Sequence, residues 1–193
     1  MITEGFFPTL IHAEDVKLNN EQLANDIIAW SKQDQEGIKK TNMHGWHSTT
    51  DMHTKPEYKQ LVQELFKMQL KVFKTEWLAR EPRIGNMWAN INPPGGYNRP
   101  HIHPNSLFSG VYYVKTPPNC GKIVFTDPRP GVQSNMPIRV EGKPPTHLWR
   151  EVHLDTVEGR IVMFPSWLWH SVEENKSNDI RISVSFNFIQ DGF

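Results

Sequence analysis

The period of the apolar residues changes near Pro82. Upstream, apolar positions recur at helical spacing. Leu23, Ile27 and Trp30, with Ala24 and Ile28 beside them, predict an amphipathic helix over Asn20 to Trp30. Thr54-Lys55-Pro56-Glu57 has the pattern of a capping box with an early proline. The helix it would open has an apolar face of Tyr58, Leu61, Leu65, Met68 and Val72, and Pro82 is expected to end it. From Gly85 onward, short β-rich runs alternate with Pro/Gly turns. The strands predicted are Met87–Asn92, Leu107–Lys115, Lys122–Thr126, Leu148–Leu154, Arg160–Phe164 and Asp179–Ile189. The fold expected is mainly β, a sandwich or barrel supported by N-terminal helices.

The last of these strands assigns its two faces. Ile180, Ile182, Val184, Phe186 and Phe188 form an apolar row that should pack on the core or on the helices. Arg181, Ser183, Ser185 and Asn187 form the opposite row, and burying it is costly unless it is satisfied. Met87, Ala89 and Ile91 alternate in the same way with Trp88, Asn90 and Asn92. Either row taken alone fits a solvent-facing surface. Two such rows beside clustered histidines favour a cavity that holds ligand or water.

Composition narrows the classes without choosing among them. At 193 residues the chain suits one domain, 1–193, with a helical support region over 1–84 and a β core over 85–193. The 21 basic and 21 acidic residues cancel, which argues against nucleic acid or an anionic membrane as partner. No apolar run approaches a membrane span, and Met1 to Lys17 lacks the pattern of a secretion signal. The single cysteine, Cys120, excludes an internal disulfide and fits a reducing cytoplasm. Between Asn119 and Gly121 it reads as a small turn residue.

The chemistry lies in His101-Ile102-His103, in the lone His170, and in Arg181-Ile182-Ser183. Histidines at i and i+2 on a strand share a face, so both reach one metal ion, and a third from a distant strand closes a facial triad. Each piece alone is compatible with chance or with ordinary packing. An arginine beside the metal suits an anionic cosubstrate and suggests redox iron. A three-histidine zinc hydrolase or lyase, and a non-catalytic cupin-like binding module, are the alternatives. The zinc reading leaves Arg181 and Ser183 without a task.

Residues 86–189 resemble the double-stranded β-helix (jelly-roll, cupin-like) of the Fe(II)/2-oxoglutarate-dependent oxygenases, prolyl hydroxylases included. They are most similar to a set of small bacterial and phage members. The resemblance is carried by Trp88 to Asn92, Asn98 to Pro104, Ser109 to Val114, Asp127-Pro128-Arg129, Phe164 to Val172 and Arg181 to Asn187, with Gly45 to Ser48 upstream. It implies His101, His103 and His170 as iron ligands and catalytic centre. Arg181 and Ser183 would hold the far carboxylate of 2-oxoglutarate, Tyr113 would meet the same group, and Asn92 or Asn90 would line the pocket. It also implies Fe(II), 2-oxoglutarate and O2 as cofactor and cosubstrates, and hydroxylation of a C–H bond in a prolyl peptide or a small metabolite. The location implied is the cytoplasm of a bacterium or of a phage-infected host, and a homodimer stays open.

His103 stands where most of that superfamily has Asp or Glu, so water or a carboxylate such as Asp127 competes with it for the third position. His44, His47 and His53 lie in one loop that reads as solvated, with a lid or substrate wall as the alternative. Trp167 and Trp169, flanking His170, are expected to pack.

Overall fold

In the computed structural model, which describes residues 1–131, 134 and 137–190, the chain folds as two antiparallel sheets with helices on one outer face. In chain order the elements are β1 (His12–Asp15), α1 (Asn20–Gln33), β2 (Asn42–Met43), β3 (Trp46–His47), α2 (Lys59–Thr75), β4 (Arg83–Asn92) and β5 (Tyr97–His101). They continue with β6 (Phe108–Lys115), β7 (Ile123–Thr126), β8 (Glu151–Leu154), β9 (Arg160–Pro165), β10 (His170–Val172) and β11 (Arg181–Ile189). The major sheet runs β1-β9-β6-β11-β4-β3 and the minor sheet β2-β5-β10-β7-β8. This is the jelly-roll arrangement expected of the β region.

β11 lies between β4 and β6 and splits its side chains as the alternation requires. Ile182, Val184, Phe186 and Phe188 are fully buried on the helical side with Met87 and Ala89, against Leu61, Leu65, Met68 and Val72 of α2. Each such side chain contributes about 1.5–3 kcal/mol by leaving water. A second cluster, including Val111, Tyr113, Phe125, Phe164 and Leu168, fills the space between the sheets. Asn19 caps α1, its side-chain oxygen accepting from Gln22 N–H at 3.1 Å.

Three local expectations are corrected. Thr54 does not cap a helix: its hydroxyl donates to the Asp51 carbonyl at 2.8 Å, and two short 3₁₀ turns, Met52–Thr54 and Pro56–Tyr58, precede α2. α2 also stops well before Pro82. Leu78 N–H donates to Phe73 O at 3.1 Å and Trp77 N–H to Lys74 O at 3.5 Å, a Schellman closure that puts Trp77 at φ 53°. Tryptophan occupies a place usually given to glycine because Leu78, one residue on, packs against the core. Finally, the region before residue 85 is not purely helical: β1 and β3 form both edges of the major sheet, and β2 edges the minor one. These strands are too short for a periodicity to show. Among the described residues, no helix is long and apolar enough to cross a membrane.

Gly110 on β6 sits directly opposite Phe186. A Cβ there would lie 2.2 Å from the Phe186 ring and 2.7 Å from the Val162 carbonyl oxygen, so only glycine leaves room for this ring. Gly110→Ala is expected to destabilise the protein by about 1–3 kcal/mol in denaturant unfolding. Phe186→Leu in the same chain should recover part of that loss. Additive effects of the two changes would contradict the contact.

Candidate functional site

The polar rows of β11 and β4 form the floor of a cavity of about 350 Å³ between the sheets. Cross-strand pairing sets Arg181 beside Asn92, Ser183 beside Asn90 and Tyr113, Ser185 beside Trp88, and Asn187 beside Asn86. All of these line the cavity. The minor sheet supplies the opposite wall, where His170 on β10 pairs with His101 on β5.

His101, His103 and His170 converge there, with one ligand atom of each within 4.8 Å of the others. Their ring centroids are 4.3 to 5.1 Å apart. β5 ends at His101, so His103 is not placed by strand alternation as the i, i+2 spacing suggested. It sits in the following turn, where its backbone N–H donates to Ser166 O at 3.0 Å and its ring stacks on Trp88 with centroids 5.8 Å apart.

The ring nitrogens are assigned by their partners. His101 Nδ1 lies 2.6 Å from Arg99 O and His170 Nδ1 lies 2.9 Å from Leu168 O. A carbonyl only accepts, so Nδ1 carries the hydrogen in both rings and the Nε2 lone pair is free for a metal. Burial lowers the pKa of all three, His103 to about 4 and His170 to about 3, with the neighbouring His101 adding to the shift. A hydrogen bond with Asn187 opposes the shift at His103. Near neutral pH the cluster is uncharged, the state in which imidazole binds metal.

At the far end of the floor, Arg181 is 1% exposed. Its Nη1 donates to the carbonyls of Cys120 and Glu173, whereas the buried Nη2 has no partner. The buried Asn92 Nδ2, on the paired residue, has none either. Tyr113 is buried beside them, its phenol pKa raised by burial against the pull of the Arg181 charge. Two unmet donors on paired residues, one of them a buried cation, suit a carboxylate. The residues present therefore fit both a metal and a dicarboxylate.

Residues 86–187 match the model of a protein family described as "Putative 2OG-Fe(II) oxygenase". The chain belongs to this family. The oxygenase accordingly works with Fe(II), 2-oxoglutarate and O2. No curated protein matches it in sequence. Among solved structures it is similar to a Pseudomonas putida prolyl-4-hydroxylase, at 16% identity and a TM-score of 0.67 over 95% of this chain and 94% of that one. HygX from Streptomyces hygroscopicus, solved with nickel and 2-oxoglutarate bound, is 8% identical with a TM-score of 0.63, covering 96% and 84%. The viral collagen prolyl hydroxylase of Paramecium Bursaria Chlorella virus-1 is 14% identical with a TM-score of 0.58, covering 92% and 94%. At these identities the structures establish a shared fold. The zinc-hydrolase and binding-module readings gain no support from any of these matches.

Other candidates from the sequence separate clearly in the oxygenase. Asp127 does not line the cavity, and its carboxylate is held by Arg129 at 2.6 to 3.2 Å. Of the three loop histidines only His47 reaches the cavity, where it stacks on Trp88 at 5.2 Å. His44 and His53 do not line it. Trp167 and Trp169 are about half exposed rather than packed, and neither lines the cavity.

Sequence reasoning placed Asn187 only on the polar row of the last strand, and gave no role to Lys40 or the Cys120 backbone. Asn187 Oδ1 accepts from Ser109 Oγ and its Nδ2 donates to Asn86 Oδ1, both at 2.7 Å. Its place on the polar row of the last strand was the available signal. Lys40 and Cys120 come from distant turns, and no local pattern marks them.

For metal-free oxygenase the histidines make a signed prediction. Their folded pKa values lie below the ordinary 6.5, so folding is favoured above pH 6.5 and weakens as pH falls toward 4. At pH 5 the cost is about 2 kcal/mol for each of His103 and His170. Urea midpoints measured from pH 7 to 5 should fall accordingly. A flat profile would contradict the burial of neutral rings.

Proposed function

We propose that this oxygenase hydroxylates a C–H bond of a small-molecule or peptide substrate, with His101, His103 and His170 holding Fe(II) and Arg181, Ser183, Tyr113 and Asn92 holding 2-oxoglutarate. The observation that carries this reading is the pair of unmet buried donors, Arg181 Nη2 and Asn92 Nδ2, in the cavity that also holds the three histidines. A zinc hydrolase has no use for a buried guanidinium at that depth.

Iron and 2-oxoglutarate supply the oxidising chemistry when bound. The chain's own part is placement. His101 and His170 present fixed lone pairs because backbone carbonyls hold their Nδ1 hydrogens. Arg181 holds the far end of the cosubstrate as a rigid, permanently charged group, anchored through Nη1 to two carbonyls. The packed layer of Phe125, Phe164 and Leu168 behind His170 keeps water from that side. His103 is the third ligand in this reading, since Asp127 is committed to Arg129. The described residues from 85 onward form most of the β core of the enzyme, the earlier ones add the helices, edge strands and part of the cavity wall, and the cytoplasm is its place of work. Prolyl peptides are one candidate substrate, in line with the named P. putida prolyl-4-hydroxylase.

Anaerobic titration with Fe(II) and 2-oxoglutarate should give a metal-to-ligand charge-transfer band. His170→Ala should abolish iron binding. Arg181→Ala should weaken 2-oxoglutarate by about 10- to 100-fold, the worth of a charged hydrogen-bonded contact, and leave iron binding in place. Unchanged cosubstrate affinity in Arg181→Ala would sink the assignment. Asp127→Ala should leave iron affinity within about twofold, whereas His103→Ala should lower it by at least tenfold. Incubation with prolyl peptides and metabolites, read as a one-oxygen mass increase with succinate release, identifies the substrate.

A further inference from the structure

The cavity floor is longer than the cosubstrate needs. From Arg181 to Asn187 it runs about 20 Å at ~3.3 Å per residue, and 2-oxoglutarate is a short diacid anchored at the Arg181 end. The other end, around Trp88, Asn86, Asn187, Thr50 and Ser106, is left for substrate. Among the described residues lining the whole cavity there is no Asp or Glu. The charged ones are Arg181 and Lys40.

Lys40 is exposed at the mouth, but its backbone is fixed. Its N–H donates to Asn42 Oδ1 at 2.8 Å, and the buried Asn42 side chain is in turn tied to Ile38 O and Gly45 O at 3.1 Å each. The next residue, Thr41, accepts from Arg99 N–H at 3.0 Å beside the strand that carries His101. Asp51, which follows the cavity-lining Thr50, does not itself line the cavity and is engaged by Thr49 and by Lys55.

The charges do not balance with a neutral ligand set. Two positive charges on Fe(II) cancel the two negative charges of 2-oxoglutarate, and the three uncharged histidines contribute none. With Arg181 and Lys40 counted, the lining of the loaded cavity carries a net charge of about +2. Had the third ligand been a carboxylate, one of them would have been offset.

We propose that the substrate of this site is an anionic small molecule, bearing a carboxylate or phosphate that Lys40 receives at the mouth while the carbon to be oxidised faces the histidines. The inference rests on the oxygenase reading above. Lysine acts here as a compact point charge, which suits either anion. Attraction between an exposed ammonium and an anion at the mouth is worth about two- to fivefold in affinity.

The test uses intact enzyme loaded anaerobically with Fe(II) and 2-oxoglutarate, and follows perturbation of the charge-transfer band. The probes are N-acetyl amino acids, their uncharged amides, and O-phosphorylated amino acids with their unphosphorylated counterparts. Anionic members are expected to bind about two- to fivefold more tightly than their neutral twins. The carboxylate and phosphate arms show which anion is meant. Lys40→Gln should remove the preference, leaving anionic and neutral twins within about 1.5-fold, and Lys40→Glu should reverse it, with the band still formed. Equal binding of neutral twins, a preference that survives Lys40→Gln, or no anionic probe bound by enzyme that shows the band would each overturn the proposal. Absence of the band itself would remove the oxygenase reading beneath it, which separates the two failures.

Discussion

The structure depends on one strand having two faces. β11 is hydrogen-bonded on both sides, to β4 and to β6, so its register cannot slip without turning four core side chains toward water. The apolar face seals α2 onto the major sheet, and the polar face supplies Arg181, Ser183, Ser185 and Asn187 to the cavity. Stability and chemistry are therefore built on the same residues in alternation. A strand with this pattern holds the arginine, the floor and the core in a fixed relation that no loop would maintain.

The cavity is maintained at an electrostatic cost. Arg181 is almost wholly enclosed and satisfied on one side by carbonyls, with the other side unpaired. The histidines are held neutral by burial. No Asp or Glu among the described lining residues offsets the guanidinium charge, which suits the carboxylate proposed for it. His103 belongs to the same economy of charge: a carboxylate in its place would have left the site less positive.

Local sequence rules failed where tertiary contacts were stronger. The Thr54 motif looked like a helix start, yet Pro56 and the Asp51 carbonyl drew that segment into two short turns. α2 closes at Trp77 because Leu78 is worth more in the core than an unstrained backbone is at its neighbour. His103 was found through a strand spacing, but a turn and the Trp88 ring place it. The outcome at His103 agreed with the spacing while the cause did not.

The sequence by itself determined the core. Long alternating segments such as β4 and β11 are legible because solvent and core impose period two directly on residue type, and the α2 face is legible because a helix imposes 3.6. It also brought forward His101, His170 and Arg181, whose residue types are costly to bury without a purpose. Tertiary structure alone decided what crosses between segments. The two-residue strands β2 and β3 have no period to read, and their existence depends on the edges of β5 and β4. Pairing of Arg181 with Asn92, the Cys120 carbonyl at the guanidinium, the engagement of Asp127 with Arg129 and the arrival of Lys40 at the mouth are all long-range juxtapositions or side-chain choices. A periodicity reports which face a residue occupies, whereas its partner is set by how the sheets close.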